Sequence, residues 1–204
     1  MEHRASGSGA ASEYAHVLVI RPPPAMQSAL LVIDVQRALC SGEWSAFDID
    51  RVVDRVNEVI GRARAAGAPV FLIQHEEDDG PLQFGADGWQ LYERLDAQPG
   101  DVRIRKTATD SFHRTELHSL LQSRSVGKLV ICGLQSEFCV DSTVRGALAH
   151  GYPVVLVADG HTTLDNGVIS AAQISAHHNA TLANLGSYGP RVTTVPASEV
   201  RLEA

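Results

Sequence analysis

Four short apolar runs without alternation most constrain what this chain can fold into. Ala29 to Ile33, Pro69 to Ile73, Leu129 to Cys132 and Pro153 to Ala158 carry apolar side chains at successive positions. A strand with one wet face alternates apolar with polar residues, whereas an unbroken run suits a parallel strand covered on both faces. Parallel neighbours need crossover connections, and helical stripes supply them. From Asp48 or Asp50 a helix places Ile49, Val52, Val53, Val56, Val59, Ile60 and Ala63 on one face and stops at Gly67. A second is predicted over Arg114 to Arg124, with Leu117, Leu120 and Leu121 inward. A third follows Cys139 on Val140, Val144, Ala147 and Leu148, and a long one runs from about Val168 to Leu185. Trp89 to Leu95 reads as a short helix. Val102 to Arg105 and Arg191 to Val195 read as two further strands. Strands alternating with helices predict an α/β fold, a largely parallel sheet with helices on both faces.

Length and composition bound the rest. The 204 residues suit one domain, read as 28–204, preceded by a mobile arm over 1–27 that is rich in Ser, Gly and Ala and holds the Pro22 to Pro24 triplet. His16 to Ile20 could add an edge strand. No run approaches a membrane span, and the start lacks the layout of a secretory leader. Three cysteines make no disulfide framework, which points to a reducing cytoplasm. The formal net charge of −7 argues against a nucleic-acid partner and leaves room for a cationic ligand.

Chemistry collects at strand ends. Asp34 follows the first run, Lys106 ends the strand from Val102, and Cys139 stands where strand Leu129 to Cys132 turns into a helix through Gly133. Unpaired N–H groups at a helix start favour a thiolate, so Cys139 is a candidate nucleophile; the alternative is an inert buried thiol. Asp34 can take its proton, and Lys106 favours both anions. Read singly, Asp34 could cap a turn and Lys106 could be a solvated lysine. In an open parallel sheet such ends share one crevice, where ligands bind.

LLVIDVQ (30–36), RKTATDSF (105–112) and GLQSEFCV (133–140) resemble, in order and spacing, the three motifs of the isochorismatase-like cysteine hydrolases. The resemblance covers residues 29–195. It implies a three-layer α/β/α domain with a six-stranded parallel sheet, assembled as a dimer or tetramer, and an Asp34, Lys106, Cys139 catalytic triad. It also implies a cis bond at Leu134–Gln135, an oxyanion hole from the Gln135 and Cys139 N–H groups, and hydrolysis of a small amide, open-chain or lactam, through a thioester with no cofactor. Isochorismatases proper lack the nucleophilic cysteine, so Cys139 moves the chain toward the amidases, with nicotinamidase, carbamoyl or ureido amidohydrolase and a silent binding module as alternatives. Nicotinamidases add a metal site of Asp and His residues. Here Leu39 to Phe47 has no histidine and the second loop only His75, so no metal is expected.

The substrate is the least determined part. The polar loop from Gln74 to Gly88 is too long for plain connection and reads as a binding loop. Its Glu76, Glu77, Asp78 and Asp79 either attract a cationic amide or are simply solvated. Gln74, His75, Glu76, Trp89 and Phe112 are candidate pocket walls, with structural roles as the alternative. Cys40 and Cys132 lack comparable partners. His177 and His178 face different ways on one helix and form no ligand pair.

Overall fold

The computed structural model describes residues 27–203. The expected arm and the His16 to Ile20 edge strand lie outside these, except Gln27, which opens the first strand.

The strands are β1 (Gln27–Ile33), β2 (Val70–His75), β3 (Val102–Lys106), β4 (Val126–Leu134), β5 (Val154–Thr162) and β6 (Val192–Val195). They pair in one sheet of order β3-β2-β1-β4-β5-β6, every pairing parallel. The helices are α1 (Arg37–Cys40), α2 (Ile49–Ala65), α3 (Leu117–Ser123), α4 (Asp141–Ala149) and α5 (Ala171–Ala183).

Strand parity divides the core into two layers. Ala29, Leu31 and Ile33 of β1 join Phe71, Ile73 and Ile131 against Leu117 and Leu121 of α3, Val144 and Leu148 of α4, and Leu182 of α5. Leu30 and Val32 join Leu72, Val130 and Cys132 against the α2 stripe, all seven predicted members of which are buried. Because both faces are covered, β1 and β2 needed no alternation. The fold is three-layer α/β/α, as the sequence implies.

Several boundaries move for physical reasons. Trp89 to Leu95 is not helical: the Tyr92 N–H donates to the Val35 carbonyl, Gln90 accepts from Arg37, and Leu91 bridges Gln36, so its middle pairs across space while Trp89, Gln90 and Leu95 close only local turns. α5 starts at Ala171 rather than Val168, where Ser170 and Gln173 form a reciprocal capping box. α3 starts at Leu117, because Arg114 sits at φ 54° and cannot join a helix. Gly133 does not make a turn. It lies inside β4 at φ 118°, where a Cβ would stand 2.1 Å from the Ile33 carbonyl oxygen, so a glycine is needed for close approach of β4 to β1.

Candidate active site

In this strand order the direction of winding reverses between β1 and β4, and the crevice opens beyond their carboxyl ends. Asp34 follows β1 directly, in the left-handed region at φ 51°, and is 1% exposed. Cys139 lies in a single π-helical turn, Ser136–Val140, between β4 and α4. Such turns, with one residue more than an α-turn, are frequent at functional sites. Lys106 comes from β3, two strands away, on the buried side shared with Ile104.

The three side chains meet. The Lys106 Nζ lies 2.7 Å from Asp34 Oδ2, and both side chains are shut off from solvent. It donates to Cys139 Sγ at 3.1 Å and to the Ala108 carbonyl at 3.2 Å, and stands 3.3 Å from His75 Nδ1. An ammonium has three protons and four acceptors surround this one, so one contact is always unfilled. The Asp34 contact is a close ion pair without hydrogen-bond alignment, and among the described residues neither carboxylate oxygen has a hydrogen-bond partner.

Burial shapes the protonation of the group. The Cys139 thiol is pushed up to about 12, first by burial and then by the neighbouring Asp34 charge, against the opposing pull of Lys106. The resting sulfur is therefore a thiol, and the standing thiolate expected at a helix start is not what this environment favours. Burial works against the Lys106 ammonium, yet Asp34 and Cys139 together hold its pKa above the ordinary lysine value. His75 is held below its usual value by burial and then by Lys106, which keeps its ring neutral near pH 7. Asp34, His75 and Cys139 offer ligand atoms within 4.8 Å of one another, a spacing that could hold a metal ion. The Lys106 ammonium already stands among those atoms as the site's own cation.

A cavity of about 200 Å³ opens over the sulfur, lined by Asp34, Leu39, His75, Glu77, Leu82, Thr109, Gln135, Phe138 and Cys139. The Leu134–Gln135 peptide bond is cis, and Gln135 borders the cavity. The polar loop after β2 contributes Glu77 and Leu82. Leu39, Leu82 and Gln135 also line a neighbouring groove of about 440 Å³, completed by Ala38, Trp44, Pro81 and Leu164. The two spaces share a wall.

Of the five predicted pocket walls, His75 alone borders this cavity. Gln74 and Glu76 project from the opposite face of the same segment, where they meet Arg103 and Arg105 of β3, the latter as an ion pair at 2.7 Å. The two-residue period of a strand separates 74 and 76 from 75 and 77, so Glu77 could have been found from His75 by parity. Trp89 lines a different hollow with Arg37 and Gln74, and its carbonyl accepts from the Gln36 and Gln74 amides. Phe112 packs in the core beside His150 and Tyr152. Asp78 and Asp79 stay exposed, outside the cavity lining. Gln36 is a brace that sequence reading missed. Fully buried, it accepts from the His75 N–H at 2.9 Å and donates to the His75 carbonyl at 2.9 Å, tying the end of β1 to that of β2. His177 and His178 stand edge to face, and His178 meets Asp141 at 3.2 Å.

A crevice at the reversal point of a parallel sheet, holding a buried carboxylate, an ammonium and a thiol, defines a class, and residues 28–196 match the isochorismatase domain model. The chain belongs to the isochorismatase family. It is 38% identical over 167 residues to a streptothricin hydrolase of Streptomyces noursei, covering 79% of this chain and 66% of that protein's length. It is 28% identical to the ureidoacrylate amidohydrolase RutB of Pseudomonas savastanoi pv. phaseolicola, over 71% of this chain and 76% of that one. A solved isochorismatase family protein is 42% identical, with TM-score 0.75 over 82% of this chain and 97% of that one. Among the described residues no helix is long and apolar enough to cross a membrane.

Proposed function

We propose that the protein is a cysteine-dependent amidohydrolase that cleaves a C–N bond of a small amide through a thioester on Cys139. The observation that carries this reading is the contact of Lys106 with both Asp34 and Cys139 at the floor of the cavity. As the sulfur attacks the carbonyl carbon, Asp34 takes the thiol proton, so no standing thiolate is required. The Gln135 and Cys139 N–H groups hold the oxyanion; removing one such donor elsewhere costs about 2.7–4 kcal/mol. Collapse breaks the C–N bond, and Asp34 passes its proton to the leaving nitrogen. Water then gives a proton to Asp34 and its oxygen to the thioester, which releases the acid and restores the thiol. Lys106 holds its charge throughout and fixes the distance between base and nucleophile.

The cavity supports a substrate of mixed character. Glu77 is the one acidic residue of the 76–79 run that borders it, while the adjoining groove is walled by Leu39, Trp44, Pro81, Leu82 and Leu164. A weakly cationic amide with an apolar arm fits both. The named activities of the relatives make streptothricin and a ureido compound the first substrates to try. If streptothricin is cleaved, the activity is one of antibiotic resistance. The reading includes a dimer or tetramer, supported by the exposed rings of Trp44 and Phe138 at 64% and 50%, and light scattering on the purified chain checks it.

Incubation with streptothricin, ureidoacrylate, nicotinamide and simple aliphatic amides, with amine release and intact mass both followed, tests the reaction. Turnover with a transient acyl adduct on Cys139 is the expected result. Absence of turnover and adduct across the panel would instead favour a binding module.

A further inference from the structure

The turn that carries Gln135 and Cys139 is held from behind by a chain of buried polar side chains outside the triad. Ser136, fully buried, lies 2.8 Å through its hydroxyl from His161 Nδ1 at the end of β5 and 3.0 Å from the Ser175 hydroxyl of α5. His161, 3% exposed, meets Asn179 Oδ1 of α5 through Nε2 at 3.0 Å, and Asn179 Nδ2 donates to the Ala158 carbonyl at 3.0 Å.

The proton order along this chain follows from the ends inward. A carbonyl only accepts, so the Asn179 amide must point its NH2 at Ala158 and its oxygen at the ring. An amide oxygen also only accepts, so His161 carries its proton on Nε2 and offers Nδ1 as acceptor. The Ser136 hydroxyl therefore donates to Nδ1, and with its single proton spent it accepts from Ser175. Burial holds the ring below the usual histidine pKa, against the opposing hydrogen bond to Asn179, so it stays neutral; His178 adds to the lowering and the Asp159 carboxylate opposes it.

Serine, imidazole and amide in line look like a second hydrolytic relay, but the hydroxyl is wholly shut off from solvent and from the cavity over Cys139. Its position explains it better. Ser136 directly follows Gln135 and precedes Cys139 by three residues, in a π-helical turn whose backbone bonds converge on the Gln135 carbonyl from Phe138 at 3.2 Å and Val140 at 3.1 Å. A turn with this looser ladder needs side-chain anchors to hold its N–H groups in one direction.

We propose that His161, fixed as its Nε2–H tautomer, is a positioning residue that aims the Gln135–Cys139 turn through the Ser136 hydroxyl. The kinetic consequence rests on the amidohydrolase reading; the geometric one does not. Ser136→Ala removes the hydroxyl without adding volume. Three measurements are made on it: the unfolding midpoint, kcat and KM on an amide the wild type cleaves, and the pH profile of Cys139 alkylation by iodoacetamide, read by peptide mass. Expected are a folded protein, a KM near wild type, kcat lowered about tenfold, and an alkylation profile displaced by about half a pH unit or more. Nitrogen NMR of wild-type His161 is expected to show a neutral ring protonated at Nε2 at the ordinary histidine pKa of about 6.5 and above. If Ser136→Ala does not fold, Ser175→Ala, at the half-buried end of the chain, is expected to move the same readouts in the same direction by less. A folded variant with wild-type kcat and alkylation profile, or a His161 ring protonated at Nδ1, overturns the proposal. A displaced profile in a protein that cleaves no amide would sink the amidohydrolase reading and leave the positioning role standing.

Discussion

Lys106 and Asp34 form an ion pair at 2.7 Å with neither side chain reaching solvent. Removing one partner of such a pair leaves the other charge buried and unpaired, which costs about 3–5 kcal/mol, whereas removing both costs less. Lys106→Met is therefore expected to lower stability by that amount, and Asp34→Asn combined with Lys106→Met to recover part of it. Urea denaturation of the two single variants and the double variant measures the coupling. Additive losses would show that the pair is not the unit described here.

After burial, the Asp34 charge is the next cause that holds the Cys139 thiol up, so losing that charge should bring the thiol down part of the way beside Lys106. Asp34→Asn is expected to speed alkylation of Cys139 at neutral pH by about tenfold or more while abolishing amide turnover. A nucleophile that becomes more reactive yet catalytically silent identifies Asp34 as the proton acceptor. Slower alkylation in this variant would contradict that role.

Cys139→Ser is expected to lower kcat by about 10⁴-fold or more on any amide the wild type cleaves, with no acyl adduct by mass. Cys40→Ala serves as the control, because Cys40 lies in the α2 layer of the core and does not line the cavity. Comparable loss in both variants would argue against a dedicated nucleophile.

Stability should fall on both sides of neutrality. His75 and His161 are held below the usual histidine pKa by burial, so the unfolded chain binds more protons there; that contribution is complete above about pH 6.5 and is lost as the pH falls. Cys40 and Cys139 are each pushed up to about 12, by burial foremost, so the unfolded chain releases protons first and stability declines as the pH rises above about 8.5. Lys106 adds to the alkaline loss only above the ordinary lysine pKa, since its folded value is raised. Urea midpoints across this range are expected to peak between about pH 7 and about pH 8. A midpoint still rising at about pH 10 would reverse the assigned sign.

Gly133→Ala would put a methyl group 2.1 Å from the Ile33 carbonyl oxygen at a φ of 118°. A loss of roughly 3 kcal/mol or more is expected, since β1 and β4 would have to part at the site. Gly80→Ala is the comparison, as its positive φ is the same kind of backbone strain with open space around the added methyl. Equal losses in the two would place the cost in the dihedral alone.

Unbroken apolar runs fixed the parallel sheet, and helical periodicity fixed the α2 stripe, because both are local patterns of burial. The ends of β1 and β3 could be read to within a residue, and with them the placement of Asp34 and Lys106, whereas β4 and β5 run on to Leu134 and Thr162, beyond the Cys132 and Ala158 where the apolar runs stop. The helix expected at Trp89 failed because its backbone partners, Val35 and Arg37, belong to another segment. Gln74 and Glu76 were assigned to the wrong side because adjacent strand residues point to opposite faces, a rule the sequence contains but which needs one anchored position before it can be used.

What the sequence determined by itself was therefore the layer architecture and the three candidate residue types at or just past their strand ends. The tertiary structure alone decided that a lysine two strands away reaches both Asp34 and Cys139, that burial keeps the sulfur a thiol, and that Glu77 rather than Glu76 faces the cavity. The physical reason is one of range. Periodicity records which side chains leave water, whereas distances across strands and the loss of solvent around a charge depend on segments far apart in the chain.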